Sequence, residues 1–191
     1  MRLFVAVEFD PALRRALART RDQLPWLGSA VKPVAEELIH LTIRFVGETS
    51  DDRIGDVIDA AKSAAEAFAP FSFFVRGLGC FPRSDLARVL WAGIEPCPEL
   101  TAIARQVESE LVARGFPPDP RGFSPHVTLA RAKGPPVRLR APLDGERPRF
   151  GEQEVDALTV MESRLSPRGP TYVPIASAPL REETAPPEAS P

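Results

Sequence analysis

Histidine is almost missing from this chain: its 191 residues hold two, alongside two cysteines, two tryptophans, two methionines and one tyrosine. Two histidines cannot supply a three-ligand catalytic zinc site, and neither an HExxH motif nor a cysteine cluster is there to complete one. Cys80 and Cys97 lack CxxC spacing and read as reduced, structural thiols of a cytoplasmic protein. Long apolar runs are absent too. Nothing nears the ~20 residues of a membrane helix, and the apolar stretch from Leu3 to Val7 meets Glu8 and Asp10 too soon for a signal peptide. Neither sign of charge prevails. A formal net charge of −2 excludes a general nucleic-acid coat, so affinity for phosphate must come from a local pocket. The glycine fingerprints of nucleotide binders, GxGxxG and GxxxxGKS, and the nucleophile elbow GxSxG are also missing. What remains is an ordinary soluble composition, 43% hydrophobic and 26% charged, long enough for one domain or two small lobes sharing a core.

Both histidines open the same phrase. His40-Leu41-Thr42-Ile43 and His126-Val127-Thr128-Leu129 each read His, apolar, Thr, apolar; at this composition a random histidine opens such a phrase, with either Ser or Thr at the third place, roughly 2% of the time. On a strand, with a rise of about 3.3 Å per residue, His and Thr two apart share one face while the apolar residues enter a core. Two such strands across a cleft would gather two imidazoles and two hydroxyls. Histidine titrates near pH 6.5 in the absence of perturbation. One neutral and one protonated ring therefore suffice to take a proton from a nucleophile and give one to a leaving oxygen. Thr hydroxyls beside them are donors for non-bridging phosphate oxygens.

Hydrophobic periodicity predicts a strand at residues 2–9, then a helix at 11–24 with Asp10-Pro11 as its start signal. A strand at 38–46 carries the first His phrase. A helix from about 51 to 68 shows Ile54, Val57, Ile58 and Ala61 on one face. Strands at 71–78 and 87–94 follow as a hairpin, then a helix at about 98–114 ended by Gly115. The second His phrase lies on a strand at about 124–132, a Pro/Gly/Arg loop covers 133–149, and strands at 154–165 and 172–176 close the order. Helix followed by His-phrase strand occurs twice, 86 residues apart, as in a weak internal duplication. The expected architecture is α+β and bilobed: two similar lobes of antiparallel sheet, helices outside, a central cleft between them, all within residues 1–177. Residues 178–191, rich in Pro, Glu and Ala, are expected to form a disordered tail.

His40 and His126 are thus the candidate acid–base pair, with Thr42 and Thr128 beside them. Strict alternation puts Arg44 on the face of His40 and Thr42, as a substrate contact or a solvated strand-end residue. The same alternation puts Arg131, five after His126, on the opposite face unless a bulge brings it round. Arg83, in the hairpin loop, reads as a cleft-mouth or solvent residue. Phe45, Phe71, Phe73 and Phe74 read as core, whereas Phe81 and Phe123, near loops, are the better stacking candidates.

These residues resemble a known family, the bacterial and archaeal RNA 2′,3′-cyclic phosphodiesterases, first described as 2′-5′ RNA ligases, of the two-histidine (2H) phosphoesterase superfamily. The resemblance runs from Arg2-Leu3-Phe4-Val5-Ala6 to Tyr172. It rests chiefly on His40-Leu41-Thr42-Ile43-Arg44-Phe45-Val46-Gly47-Glu48 and Pro125-His126-Val127-Thr128-Leu129-Ala130-Arg131. Supporting stretches are Gly79-Cys80-Phe81-Pro82, Val89-Leu90-Trp91-Ala92-Gly93 and Glu162-Ser163-Arg164-Leu165. Ile43 stands where leucine is usual, and Cys80 occupies a variable position. The resemblance implies opening of a terminal 2′,3′-cyclic phosphate on RNA or a nucleotide to a 2′-phosphate, with no metal or other cofactor. It implies His40 and His126 as catalytic residues, with Thr42, Thr128 and Arg131 on phosphate; Arg44, Phe81, Arg83 and Phe123 are further possible substrate contacts. The approximate symmetry leaves open which histidine is acid and which base. The partners implied are RNA ends or nucleotides bearing the cyclic phosphate, with no membrane, no obligate protein partner and a monomeric state. Two alternatives stand beside this: 2′-5′ ligation by the reverse reaction, and a nucleotide- or RNA-binding module without turnover.

Overall fold

The structure, a computed structural model, describes residues 1–24, 30–138, 148–167 and 169–181. Its order is β1 (Arg2–Glu8), α1 (Pro11–Gln23), β2 (Val31–Pro33), β3 (His40–Glu48), α2 (Ile54–Ala65), β4 (Phe71–Phe81), β5 (Val89–Ile94), α3 (Pro98–Ala113), β6 (His126–Ala132), β7 (Arg149–Val155), β8 (Ala157–Ser166) and β9 (Gly169–Pro179). The strands form two antiparallel sheets, one ordered β3-β1-β8-β9 and the other β2-β6-β5-β4-β7. Helices α2 and α3 pack against each other, α2 covering β8 and β9 and α3 covering β3; α1 lies on β6 and β7 of the second sheet. The bilobed α+β architecture read from the sequence is the observed one.

Each helix is held by the stripe its sequence spells. α3 buries Leu100, Ile103, Ala104, Val107 and Leu111, a one-sided 3.6-residue repeat. α2 offers Val57 and four buried alanines, Ala60, Ala61, Ala64 and Ala65, so its backbone lies close to its neighbours. β1 is buried on both faces: Leu3, Val5 and Val7 point into the main core, while Phe4 and Ala6 join Met161 and Tyr172 on the other side. That second face lines the cleft.

Three expectations change. Residues 154–165 are not one strand: the chain turns at Asp156, with β7 pairing β4 in one sheet and β8 pairing β1 in the other. A one-residue corner carries no glycine or proline, and the adjacent apolar pair Ala157-Leu158 that follows it is the one mark it leaves in the sequence. β2, three residues long, falls below the length at which periodicity speaks. The last strand runs to Pro179, and Leu180 is buried, its N–H donating to Asp156 O at 2.7 Å. Residues 178–181 are therefore part of the fold. The rest of the expected tail, 182–191, and residues 139–147 of the expected loop lie outside the described residues.

Candidate active site

β3 and β6 carry the two His phrases, one in each sheet, and both are bulged at the same place. Against β1, Val5 pairs with Arg44 and Ala6 with Thr42, leaving Ile43 as the extra residue. Against β5, Leu90 pairs with Ala130 and Trp91 with Thr128, leaving Leu129 extra. A bulge inverts the alternation beyond it. His40 and Thr42, and likewise His126 and Thr128, share the cleft face. The residues at His+3 and His+4, Ile43 with Arg44 and Leu129 with Ala130, are all buried. The residue at His+5 then returns to the cleft: Phe45 on β3 and Arg131 on β6.

The bulges decide two sequence expectations. Arg131 is on the histidine face, as the proviso about a bulge allowed. Arg44 is not: it is 8% exposed, and its guanidinium donates to Glu108 on α3, to Phe45 O and, at 2.6 Å, to Pro117 O. Alternation fails for Arg44 because Ile43 is the extra residue: its neighbour Phe45 takes the cavity face, while Arg44 borders only the wider groove beside it. Phe45, read from sequence as core, is 42% exposed and lines the cleft.

A cavity of about 300 Å³ gathers His40, Thr42, Phe45, His126, Thr128, Arg131 and Tyr172. His40 Nδ1 lies 2.8 Å from Leu38 O, and His126 Nδ1 lies 2.7 Å from Ser124 O. A carbonyl only accepts, so Nδ1 carries the proton in both rings and Nε2 is the exchangeable position. His40 Nε2 is 3.0 Å from Thr42 Oγ1. Each imidazole also meets an aromatic ring edge-on, His40 with Tyr172 at 5.0 Å and 88°, His126 with Phe81 at 5.0 Å and 89°. Phe4 backs the first ring at 5.1 Å and Trp91 the second at 6.5 Å. The indole lies directly over Gly79, where a Cβ would stand 2.1 Å from Trp91 Cη2; only glycine fits beneath it.

Burial pushes both histidine pKa values below the ordinary value; the Leu38 carbonyl opposes this for His40 and the Ser124 carbonyl for His126, and the Arg131 charge adds to it in each. His126 depresses His40 further. Burial also raises the Tyr172 phenol, with Arg131 and Arg2 pulling the other way, which keeps its O–H as a donor at neutral pH. Two neutral imidazoles beside a guanidinium can offer positive charge to an anion and two bases that each accept a proton. Among the described residues no group of three His, Cys, Asp or Glu side chains is placed to hold a metal ion, and no helix is long and apolar enough to cross a membrane.

The remaining candidates divide. Phe81 and Phe123 line a wider groove that opens from the same cleft. Arg83 is turned away, ion-paired with Asp85 at 2.7 Å, and lines neither cavity. Phe45, expected in the core, and Tyr172 also line the histidine cavity.

Two bulged His-x-Thr strands thus face one cleft, and comparisons with known proteins place the chain in a family. The LigT like Phosphoesterase family profile matches residues 7–91 and 94–172. The chain belongs to that family. An RNA 2′,3′-cyclic phosphodiesterase of Methanothermobacter thermautotrophicus is 33% identical over 175 residues, 90% of this chain and 95% of that one. A protein of the same name from Aeropyrum pernix is 37% identical over 160 residues, 82% of this chain and 90% of its own. Among solved structures, TT0787 of Thermus thermophilus superposes with a TM-score of 0.82 at 30% identity, covering 96% of this chain and all of that one. LigT of E. coli complexed with 3′-AMP gives 0.78 at 25% identity, covering 94% and 97%.

Proposed function

We propose that this protein hydrolyses 2′,3′-cyclic phosphate at the 3′ end of RNA or a nucleotide, leaving a 2′-phosphate, by acid–base chemistry of His40 and His126 without a metal. The observation that carries the reading is the pair of Nδ1-anchored imidazoles, each with Nε2 as its exchangeable position, in one cavity with Arg131. The names of the relatives from Methanothermobacter thermautotrophicus and Aeropyrum pernix support the substrate class.

In this mechanism the cyclic phosphate lies between the rings, its non-bridging oxygens taking hydrogen bonds from Thr42, Thr128 and Arg131. One neutral histidine accepts a proton from water at Nε2 as the water oxygen bonds to phosphorus. The other, protonated, gives its Nε2 proton to the ribose 3′ oxygen as the P–O3′ bond breaks. The products are a 2′-phosphomonoester and a free 3′ hydroxyl, with the two histidines in exchanged protonation states. Arg131 stabilises the added charge on phosphorus oxygens as the transition state forms. Phe45, exposed in the cleft, offers its face to the terminal base.

Turnover of adenosine 2′,3′-cyclic phosphate by wild type, His40→Ala and His126→Ala in excess EDTA tests this. Wild type retains full activity, and each variant loses about 10²–10⁴-fold while remaining folded. Activity abolished by EDTA and restored by zinc or manganese would overturn the mechanism.

A further inference from the structure

One cation in the histidine cavity plays no part in the mechanism above. Lys32, on β2, lines the same hollow of about 300 Å³ as His40, His126 and Arg131, and does not border the wider groove beside it. β2 comes to this place by adding to β6: Val31 pairs with Ala132, Lys32 with Arg131 and Pro33 with Ala130. Directly opposed residues of an antiparallel pair share one face, with Cβ atoms about 4.5–5.5 Å apart. Arg131 faces the cavity, so Lys32 faces it too, while its neighbour Val31 turns into the core. The lysine stem then crosses between the sheets. A Cβ on Gly169, the first residue of β9 in the other sheet, would stand 2.8 Å from Lys32 Nζ and 3.7 Å from its Cε. Gly169 has a φ of 130°, a conformation kept for glycine, so no side chain competes for that space.

Two cations directly opposite each other repel and cost stability. Among the described residues that line the cavity, Glu37 is the one carboxylate. An anion entering between Lys32 and Arg131 relieves the repulsion, and two negative charges relieve it more than one. That distinction separates substrate from product. A cyclic phosphodiester carries a single negative charge, which Arg131 alone balances; a phosphomonoester carries about 1.5–2 at neutral pH. Lys32 is the cation in excess of what the substrate needs. An ammonium has three N–H donors, enough to take up a phosphate oxygen without leaving its place beside Gly169.

We propose that Lys32 reads the second negative charge: with Arg131 it forms an anion subsite that holds the phosphomonoester product, and inorganic phosphate, more tightly than the cyclic substrate, so that turnover is restrained by its own product. The inference rests on the hydrolytic reading above and adds to it a residue that sets ligand charge preference.

The test sets the inhibition constant of adenosine 2′-phosphate against KM for adenosine 2′,3′-cyclic phosphate at pH 8, and measures binding of inorganic phosphate directly by calorimetry. The proteins are wild type, Lys32→Met, which keeps most of the stem without its charge, and Lys32→Arg, which keeps the charge. In wild type the inhibition constant should lie below KM, and progress curves should bend as product accumulates. Lys32→Met should weaken adenosine 2′-phosphate and inorganic phosphate about three- to ten-fold, change KM by less than about two-fold and straighten the progress curves. Lys32→Arg should stay near wild type. Equal losses for substrate and product, or no loss for either, would overturn the proposal while leaving the hydrolysis intact. Absence of turnover would overturn the hydrolytic reading. Phosphate binding weakened in Lys32→Met and kept in Lys32→Arg would still support the anion subsite in that case, and phosphate binding indifferent to both variants would overturn it.

Discussion

Replacing Arg44 separates a strut from a substrate contact. The side chain is 9% exposed and has three acceptors: Glu108, Phe45 O and Pro117 O. Arg44→Met keeps the apolar stem and removes the guanidinium. Breaking a fully buried pair from one side costs about 3–5 kcal/mol. Here the Glu108 side chain is 30% exposed and keeps the Asp119 N–H, so water and that bond relieve part of the cost. We expect about 2–3 kcal/mol. For a chain of this size each kcal/mol moves the melting temperature about 2–4 °C, so the fall should be about 4–12 °C, read by calorimetry or circular dichroism. Removing both charges with Arg44→Met/Glu108→Leu should restore part of it, because no unpaired carboxylate remains. Activity should fall as well, since the guanidinium fixes both the bulge presenting Phe45 and the crossover leading to Ser124, whose carbonyl orients His126. An unchanged melting temperature with only a raised KM would refute the strut and make Arg44 a substrate contact.

Gly79→Ala forces a Cβ to within 2.1 Å of the Trp91 ring; it should cost about 1–3 kcal/mol and lower kcat through the Phe81–Trp91–His126 stack, measured by denaturant melts and kinetics. The pH profile of kcat/KM should be bell-shaped, and because both histidine pKa values lie below their ordinary value its optimum should fall below about pH 6.5. A bound phosphate anion favours the imidazolium, so the kcat profile should sit at higher pH; identical profiles would contradict the assignment. Stability follows the same sign: with folded pKa values below the unfolded one, the contribution of the pair is complete above about pH 6.5 and is lost as pH falls towards the folded values. Urea midpoints of wild type should therefore drop between pH 7.5 and 5.5 by more than those of the double variant His40→Ala/His126→Ala.

Much of this was legible in the residues. The His-x-Thr repeat identified both strands, their shared face and their common cleft, because the two-residue period of a strand leaves few alternatives. Long helices with a one-sided apolar stripe, α3 above all, were equally plain. The bulges were harder. In β6 the adjacent apolar Leu129 and Ala130 break the alternation and hint that Arg131 returns to the cleft. In β3 the same position holds Ile43 and then Arg44, a polar residue that preserves the alternating pattern while its charge is met by Glu108, 64 positions away. No local signal reveals a partner so distant, and Phe45 was therefore read as core. The corner at Asp156 is marked only by the adjacent apolar pair Ala157-Leu158, which a single strand buried on both faces would show as well.

The most direct test of the central claim is phosphorus NMR of the protein with adenosine 2′,3′-cyclic phosphate in EDTA, beside His126→Ala. The account predicts conversion of the cyclic phosphate signal to that of the 2′-monophosphate by wild type alone. A 3′-monophosphate would contradict the proton delivery to the 3′ oxygen, and an unchanged cyclic phosphate signal would contradict the two-histidine hydrolysis itself.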